Sequence, residues 1–176
     1  MSDSRTQDTA IDSLPELLAH ALAMETEAAE RYEELADQME THRKAAVAKI
    51  FRRLEKEEKA HLVELTAMCS RYQLPQYAPW DYKWTTGESP EAIDIGMVSY
   101  KLSVRDAVEL ALVHERRASD FYAGIAQRAS NDEVRILASQ FAAEEREHIG
   151  WLESCLADCG PDDGAIDDPD PPLSQE

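Results

Sequence analysis

The feature that most constrains this chain is a set of glutamates and histidines spaced so that they fall on the helix faces that must be buried. Four segments carry the 3/4 apolar spacing of amphipathic helices, predicted over 13–40, 43–71, 103–129 and 131–158. On the first, that spacing selects Ala21, Glu25, Ala28, Tyr32, Leu35 and Met39; on the second, Val47, Phe51, Leu54, Glu58, His61, Leu65 and Met68. The third gives Val104, Val108, Ala111, Glu115, Ala118, Tyr122 and Ile125, and the fourth Val134, Ala138, Phe141, Glu145, His148, Leu152 and Cys155. None of these positions is Lys or Arg. The expected architecture is therefore an all-α four-helix bundle with carboxylates and imidazoles inside it.

The heights of those groups agree. With the first hairpin turning near Thr41, Glu25 lies 16 residues before the turn and Glu58 17 after it. The second, turning near Ser130, has Glu115 15 before and Glu145 15 after. Antiparallel packing then brings all four to within about one ~1.5 Å step along the axis. Burying even one unpaired carboxylate costs several kcal/mol, so something cationic has to accompany four. A salt-bridged polar core would need basic seam residues, whereas two divalent ions would bring four positive charges. A lone Glu-x-x-His arises readily by chance in acidic helices. Here it occurs twice, each copy matched in height to a seam glutamate on the preceding helix, which is the di-iron/di-manganese carboxylate pattern.

The predicted metal ligands are Glu25, Glu58, His61, Glu115, Glu145 and His148. Glu58 and Glu145 are expected to bridge, with Glu25 and His61 terminal on one ion and Glu115 and His148 on the other. Tyr32 and Tyr122 lie two helical turns beyond a terminal glutamate on the same face, where a phenol either hydrogen-bonds a ligand or simply fills the core. Oxygen-rich donors with one imidazole per ion suit two iron ions, or manganese. The lack of thiolate ligands argues against structural zinc, although the donors would accept that ion.

Start signals support the helices: Ser13 with Glu16 and Ser130 with Glu133 read as capping boxes, and Ser103 with Asp106 as a weaker one. Gly160-Pro161 is the expected stop for the fourth. Pro75, Pro79, Gly87, Pro90 and Gly96 break the segment between the second and third helices, which reads as one long crossover joining two helical hairpins. Such a crossover is the ferritin-like topology. Trp80, Tyr82 and Trp84 are expected to pack it onto the bundle or a second subunit. The halves echo each other, Glu25-x6-Tyr32 with Glu115-x6-Tyr122 and Glu58-x2-His61 with Glu145-x2-His148, as an internal duplication around a pseudo-two-fold axis would require.

Composition narrows partners and compartment. A formal charge of −18 disfavours nucleic acid and anionic membranes, and favours cations. Residues 1–12 are polar and expected to be disordered, 13–158 form the bundle, and 159–176 read as an acidic disordered tail. Three unpatterned cysteines, no leader-like apolar region and no membrane-length run point to a reducing cytoplasm. Cys69, Cys155 and Cys159 read as reduced helix cysteines, and His20, His42 and His114 lie outside the seams.

Glu25-x6-Tyr32, Glu58-x2-His61, the crossover, Glu115 and Glu145-x2-His148 together resemble the rubrerythrin domain, over roughly residues 13–158. The resemblance implies a carboxylate-bridged di-iron centre, an oxidoreductase that reduces hydrogen peroxide or dioxygen, and a homodimer. Two departures qualify it. Rubrerythrins carry a rubredoxin domain that delivers electrons, and Cys155-x3-Cys159 cannot supply its four-cysteine iron site, so an external donor such as a separate rubredoxin is expected. They also carry an extra carboxylate one turn from the counterpart of Glu115, where this chain has Ala111, Leu112, Ala118 and Ser119. That leaves a ferroxidase or iron-handling protein, or a non-enzymatic metal-dependent sensing module, as alternatives.

Overall fold

The computed structural model describes residues 10–85, 87–90, 92, 98–99 and 101–160. Four long helices carry the fold: α1 (Leu14–Thr41), α2 (Ala45–Cys69), α3 (Val104–Arg128) and α4 (Asp132–Asp158). A 3-10 turn at Pro79–Asp81 lies in the crossover, and no strand occurs among the described residues. The predicted 1–12 and 159–176 segments fall largely outside them.

The helix starts show how local chemistry sets the bounds. Ser13 Oγ accepts the Glu16 N–H at 3.4 Å, and Pro15 occupies the first turn, where a missing N–H leaves nothing unpaired. The Glu16 carboxylate accepts from the Asp12 N–H at 3.5 Å rather than from Ser13, so this box closes only by half. The complete box is at α3, where Ser103 N–H donates to Asp106 Oδ2 at 2.9 Å and Asp106 N–H to Ser103 Oγ at 3.0 Å. At α4 the cap is Asn131, not the predicted Ser130: Asn131 Oδ1 accepts the Glu133 N–H at 2.9 Å. Ser130 is taken by Asp12, whose Oδ1 accepts the N–H groups of Ser130 at 2.6 Å and Asn131 at 3.0 Å. That contact ties the start of α1 to the α3–α4 turn.

Arg43 adopts φ 57°, a left-handed conformation that ends the first hairpin's turn, so α2 starts two residues later than its periodicity predicts. The last helix stops at Asp158, with Cys159 extended, before Gly160 is reached; Pro161 lies outside the described residues.

Apolar side chains gather into two clusters, one at each end of the bundle. One joins Leu17, Leu18 and Met24 of α1 with Leu65 of α2, Phe121 and Ile125 of α3, and Val134 and Phe141 of α4. The other joins Leu35 and Met39 with Val47, Phe51 and Leu54, Ala107 and Val108, and Leu152. The first residues of α1 and α4 therefore share an end with the last residues of α2 and α3, so α2 and α3 run parallel. The crossover must travel the length of the bundle, as in the ferritin-like topology.

Part of the crossover packs on α1 through aromatic contacts. Tyr82 stacks on Trp84 with centroids 5.0 Å apart, and Trp84 meets Phe121 at 5.2 Å. At their centre His20 is fully buried, its Nε2 accepting the Lys83 N–H at 2.9 Å while Nδ1 lies 2.8 Å from the Glu16 carbonyl. Both nitrogens are thus used by a neutral ring with Nδ1–H donating, and burial lowers its pKa. Trp80, at 83% exposed, does not pack on its own bundle.

Candidate metal centre

Between the two apolar clusters the seams turn polar. Glu25, Glu58, Glu115, Glu145 and His148 are each buried, and none of the four glutamates exposes more than 6% of its surface. His61 is the outlier, with 23% of its side chain exposed against 6% for His148. All six predicted residues come together. Donor atoms of Glu58, Glu115, Glu145 and His148 lie within 4.8 Å of one another, as do those of Glu25, His61 and Glu145, and those of Glu58, His61 and His148. Glu58, Glu145, His61 and His148 each belong to two of these sets, while Glu25 and Glu115 each belong to one.

Both imidazoles turn Nδ1 inward. His148 Nδ1 is 2.9 Å from Glu115 Oε2, 3.1 Å from Glu58 Oε1 and 3.6 Å from Glu145 Oε2. His61 Nδ1 is 3.6 Å from Glu58 Oε2 and 3.7 Å from Glu25 Oε2. The two rings lie face to face, centroids 5.0 Å apart. Helix periodicity explains the placement: Glu at i and His at i+3 share one face, so each Glu-x-x-His turns both donors to the same interior point.

The tyrosines form a reciprocal pair. Tyr32 on α1 donates its hydroxyl to Glu115 Oε1 of α3 at 2.6 Å, and Tyr122 on α3 donates to Glu25 Oε1 of α1 at 2.8 Å. Each serves the glutamate of the other helix. Its own lies two turns away, roughly 10 Å at ~1.5 Å per residue, beyond a phenol's reach. Burial, reinforced by the charge of Glu25, raises the Tyr122 pKa far enough that its phenol is a fixed donor.

Electrostatics show how strongly this core demands positive charge. Burial pushes the Glu58 carboxyl up to about 7, against hydrogen bonds from His148 and His61, with the charges of Glu25 and Glu115 adding to the rise. Burial and the Glu25 charge raise Glu145 well above the ordinary range. At Glu25 burial also acts upward, but hydrogen bonds from His61, Glu58 and Tyr122 prevail and hold it low. Glu25 and Glu58 raise His61 to about 11. His148 is raised too, because Glu115, Glu145 and Glu58 outweigh its desolvation. Two imidazolium rings cannot balance four ionised carboxylates, and the raised Glu58 and Glu145 make up the difference by holding protons. Two divalent cations would replace those protons while freeing both imidazoles to act as neutral ligands, so this donor set fits a binuclear oxygen-rich centre.

A cavity of about 20 Å³ adjoins Glu25 and His61 and is lined further by Ala21, Glu64, Leu65, Met68, Phe141 and Glu144. It has room for about one water-sized molecule. Sequence reasoning passed over two carboxylates beside the six. Glu57 Oε2 lies 3.8 Å from His148 Nε2, on the ring's outer side. Glu144 is half-buried, and its pKa is raised by burial, with the His61 charge acting against the rise. A signal was present, since both copies of the motif read Glu-Glu-x-x-His.

One glutamate from each of two helices and Glu-x-x-His from the other two, in two hairpins joined by a long crossover, define a ferritin-like carboxylate bundle. The rubrerythrin family profile matches residues 16–152, and the chain belongs to the rubrerythrin family. An uncharacterized conserved protein from Magnetospirillum magnetotacticum MS-1, known as a crystal structure, is 35% identical and superposes with a TM-score of 0.69. The match covers 84% of this chain and 96% of that one. No curated protein matches the chain. No helix among the described residues is long and apolar enough to cross a membrane.

Proposed function

We propose that this protein is a di-iron oxidoreductase that reduces hydrogen peroxide to water with electrons from an external donor such as a separate rubredoxin. The observation that carries this reading is the convergence of six Glu and His donors, five of them buried, in the family's pattern, on one level of the bundle. When bound, a pair of iron ions supplies two electrons by passing from ferrous to ferric, together with the Lewis acidity that polarises an O–O bond. Reduction of one peroxide to two waters would consume those two electrons and two protons.

The chain's own residues hold the geometry for this. Glu58 and Glu145 would be shared by both ions, Glu25 with His61 would hold one, and Glu115 with His148 the other. Tyr122 and Tyr32 fix Glu25 and Glu115 by donating to one oxygen of each, leaving the other oxygen to point inward. The apolar clusters on either side exclude bulk water and keep competing ligands out.

A second reading, ferroxidase or iron handling, is favoured by the third helix. Ala111, Leu112, Ala118 and Ser119 are buried around Glu115 with no further carboxylate among them, and the Ser119 hydroxyl is turned to the Ala142 carbonyl at 3.2 Å. Stopped-flow mixing of the diferrous protein with each oxidant separates the two. Oxidation faster by peroxide than by dioxygen, with multiple turnovers once rubredoxin and its reductase are added, is the expected result. Faster oxidation by dioxygen, with one turnover per added Fe(II), overturns the peroxidase assignment in favour of a ferroxidase.

A further inference from the structure

The two ends of the centre are not equally covered, although the sequence motifs that build them are duplicates. His148 is closed off, 6% exposed, with Glu57 against its outer nitrogen at 3.8 Å. His61 is 23% exposed and stands with Glu25 at the wall of the 20 Å³ cavity between α1, α2 and α4. The cavity wall mixes apolar surface from Leu65, Met68 and Phe141 with two further carboxylates, Glu64 and Glu144. Glu64 is exposed, Glu144 half-buried and Glu25 buried, so the three acids are graded from solvent to the centre. No lysine or arginine lines the cavity.

We infer that this cavity is the route by which divalent cations reach the centre, with Glu64 and Glu144 as transit carboxylates that hand an ion to Glu25 and His61. The inference rests on the metal-centre reading and adds the side of loading and the residues that control its rate. A graded series of oxygen donors lets a hydrated cation exchange waters for carboxylates one at a time, so it never meets the apolar walls as a bare charge. A cavity with room for about one water suits an ion that has already shed most of its shell. The His148 end is the more covered of the two, so on this route the ion held there also arrives past His61.

The test is the loading rate of Co(II), followed by stopped-flow visible absorbance on the full-length, chelator-stripped protein, with bound Co(II) counted at equilibrium. Two double variants remove the same net charge: Glu64→Gln/Glu144→Gln at the cavity, and Glu30→Gln/Glu133→Gln on exposed helix surface. The cavity pair should load roughly tenfold more slowly, at the low end of the 10–10³ range for electrostatic focusing, and still reach two Co(II) per chain. The surface pair should stay within about twofold of wild type, and Glu144→Asp, which keeps the charge, should load far faster than Glu144→Gln. Circular dichroism of each variant verifies the fold. Wild-type loading with equal rates in both double variants overturns the route and leaves the centre standing, whereas a wild type that binds no Co(II) overturns both.

Discussion

Stripping the centre of metal should make the protein more stable in mild acid than at neutral pH, the reverse of ordinary acid denaturation. Glu58 is near 4.5 in an unfolded chain and about 7 in the folded one, so the folded state takes up its proton first as pH falls. Its contribution is greatest below about 4.5 and is lost as pH rises through about 7. His61, raised from 6.5 to about 11, has the same sign: its contribution is complete below 6.5 and is lost as pH rises through about 11. Carboxyls held low, such as Glu25 and Asp106, act oppositely, but their stabilisation is lost only as pH falls below the ordinary carboxylate range. Buried His20 and His114, lowered from 6.5, also act oppositely and do so within the interval. Between about pH 7 and 5.5 the raised groups, Glu58, Glu144, Glu145, His61 and His148, outnumber those two and set the sign. Integrating the linkage relation for Glu58 alone over that interval gives roughly 1.5 kcal/mol, or a rise of about 3–6 °C in Tm for a chain of this size. The assay is calorimetry or thermal circular dichroism of chelator-treated protein across that range, with Glu58→Gln as a control whose rise should be smaller. Metal-saturated protein should lose this acid preference, because protons compete with the ions for the same carboxylates. A Tm of the stripped protein that falls steadily from pH 7 to 5.5 would refute the reasoning.

Glu58→Ala should abolish paired occupancy, because Glu58 belongs to donor sets around both histidines, while His61→Ala should keep partial binding; elemental analysis after anaerobic iron loading reads both, and equal binuclear occupancy in Glu58→Ala and wild type would remove the bridging role. Tyr122→Phe deletes the 2.8 Å hydrogen bond to Glu25 without altering ring packing, and should weaken metal affinity roughly 10–100-fold in a competitive chelator titration. Leu152→Ala truncates a fully buried side chain one turn beyond His148 and should lower stability by about 2–5 kcal/mol, seen as a reduced urea midpoint.

The bundle and its polar level were legible in the sequence because both follow from one short-range rule. Residues three and four apart share a helix face, so the seams through Glu25, Glu58, Glu115 and Glu145 could be traced without knowing what they face. Turn-to-residue counts gave the heights for the same reason, since the rise per residue is fixed. What escaped depends on contacts between segments far apart in the chain. Ser130 reads as a cap by its own neighbourhood, yet Asp12, 118 residues away, binds it and passes the capping role to Asn131. His20 gives no seam signal, but the returning crossover places Lys83 and three aromatic rings around it and makes it wholly buried. Tyr32 and Tyr122 show both sides of this limit. Their spacing from Glu25 and Glu115 predicted that they lie inside, but the same-helix glutamate is too distant to be the partner, and only the docking of the two hairpins, which sets α1 diagonally across the core from α3, decides that each bonds the other's. The crossed bonds also couple the hairpins at the centre: a shift of α1 against α3 would strain both, so the residues that orient the ligands also hold the halves in register.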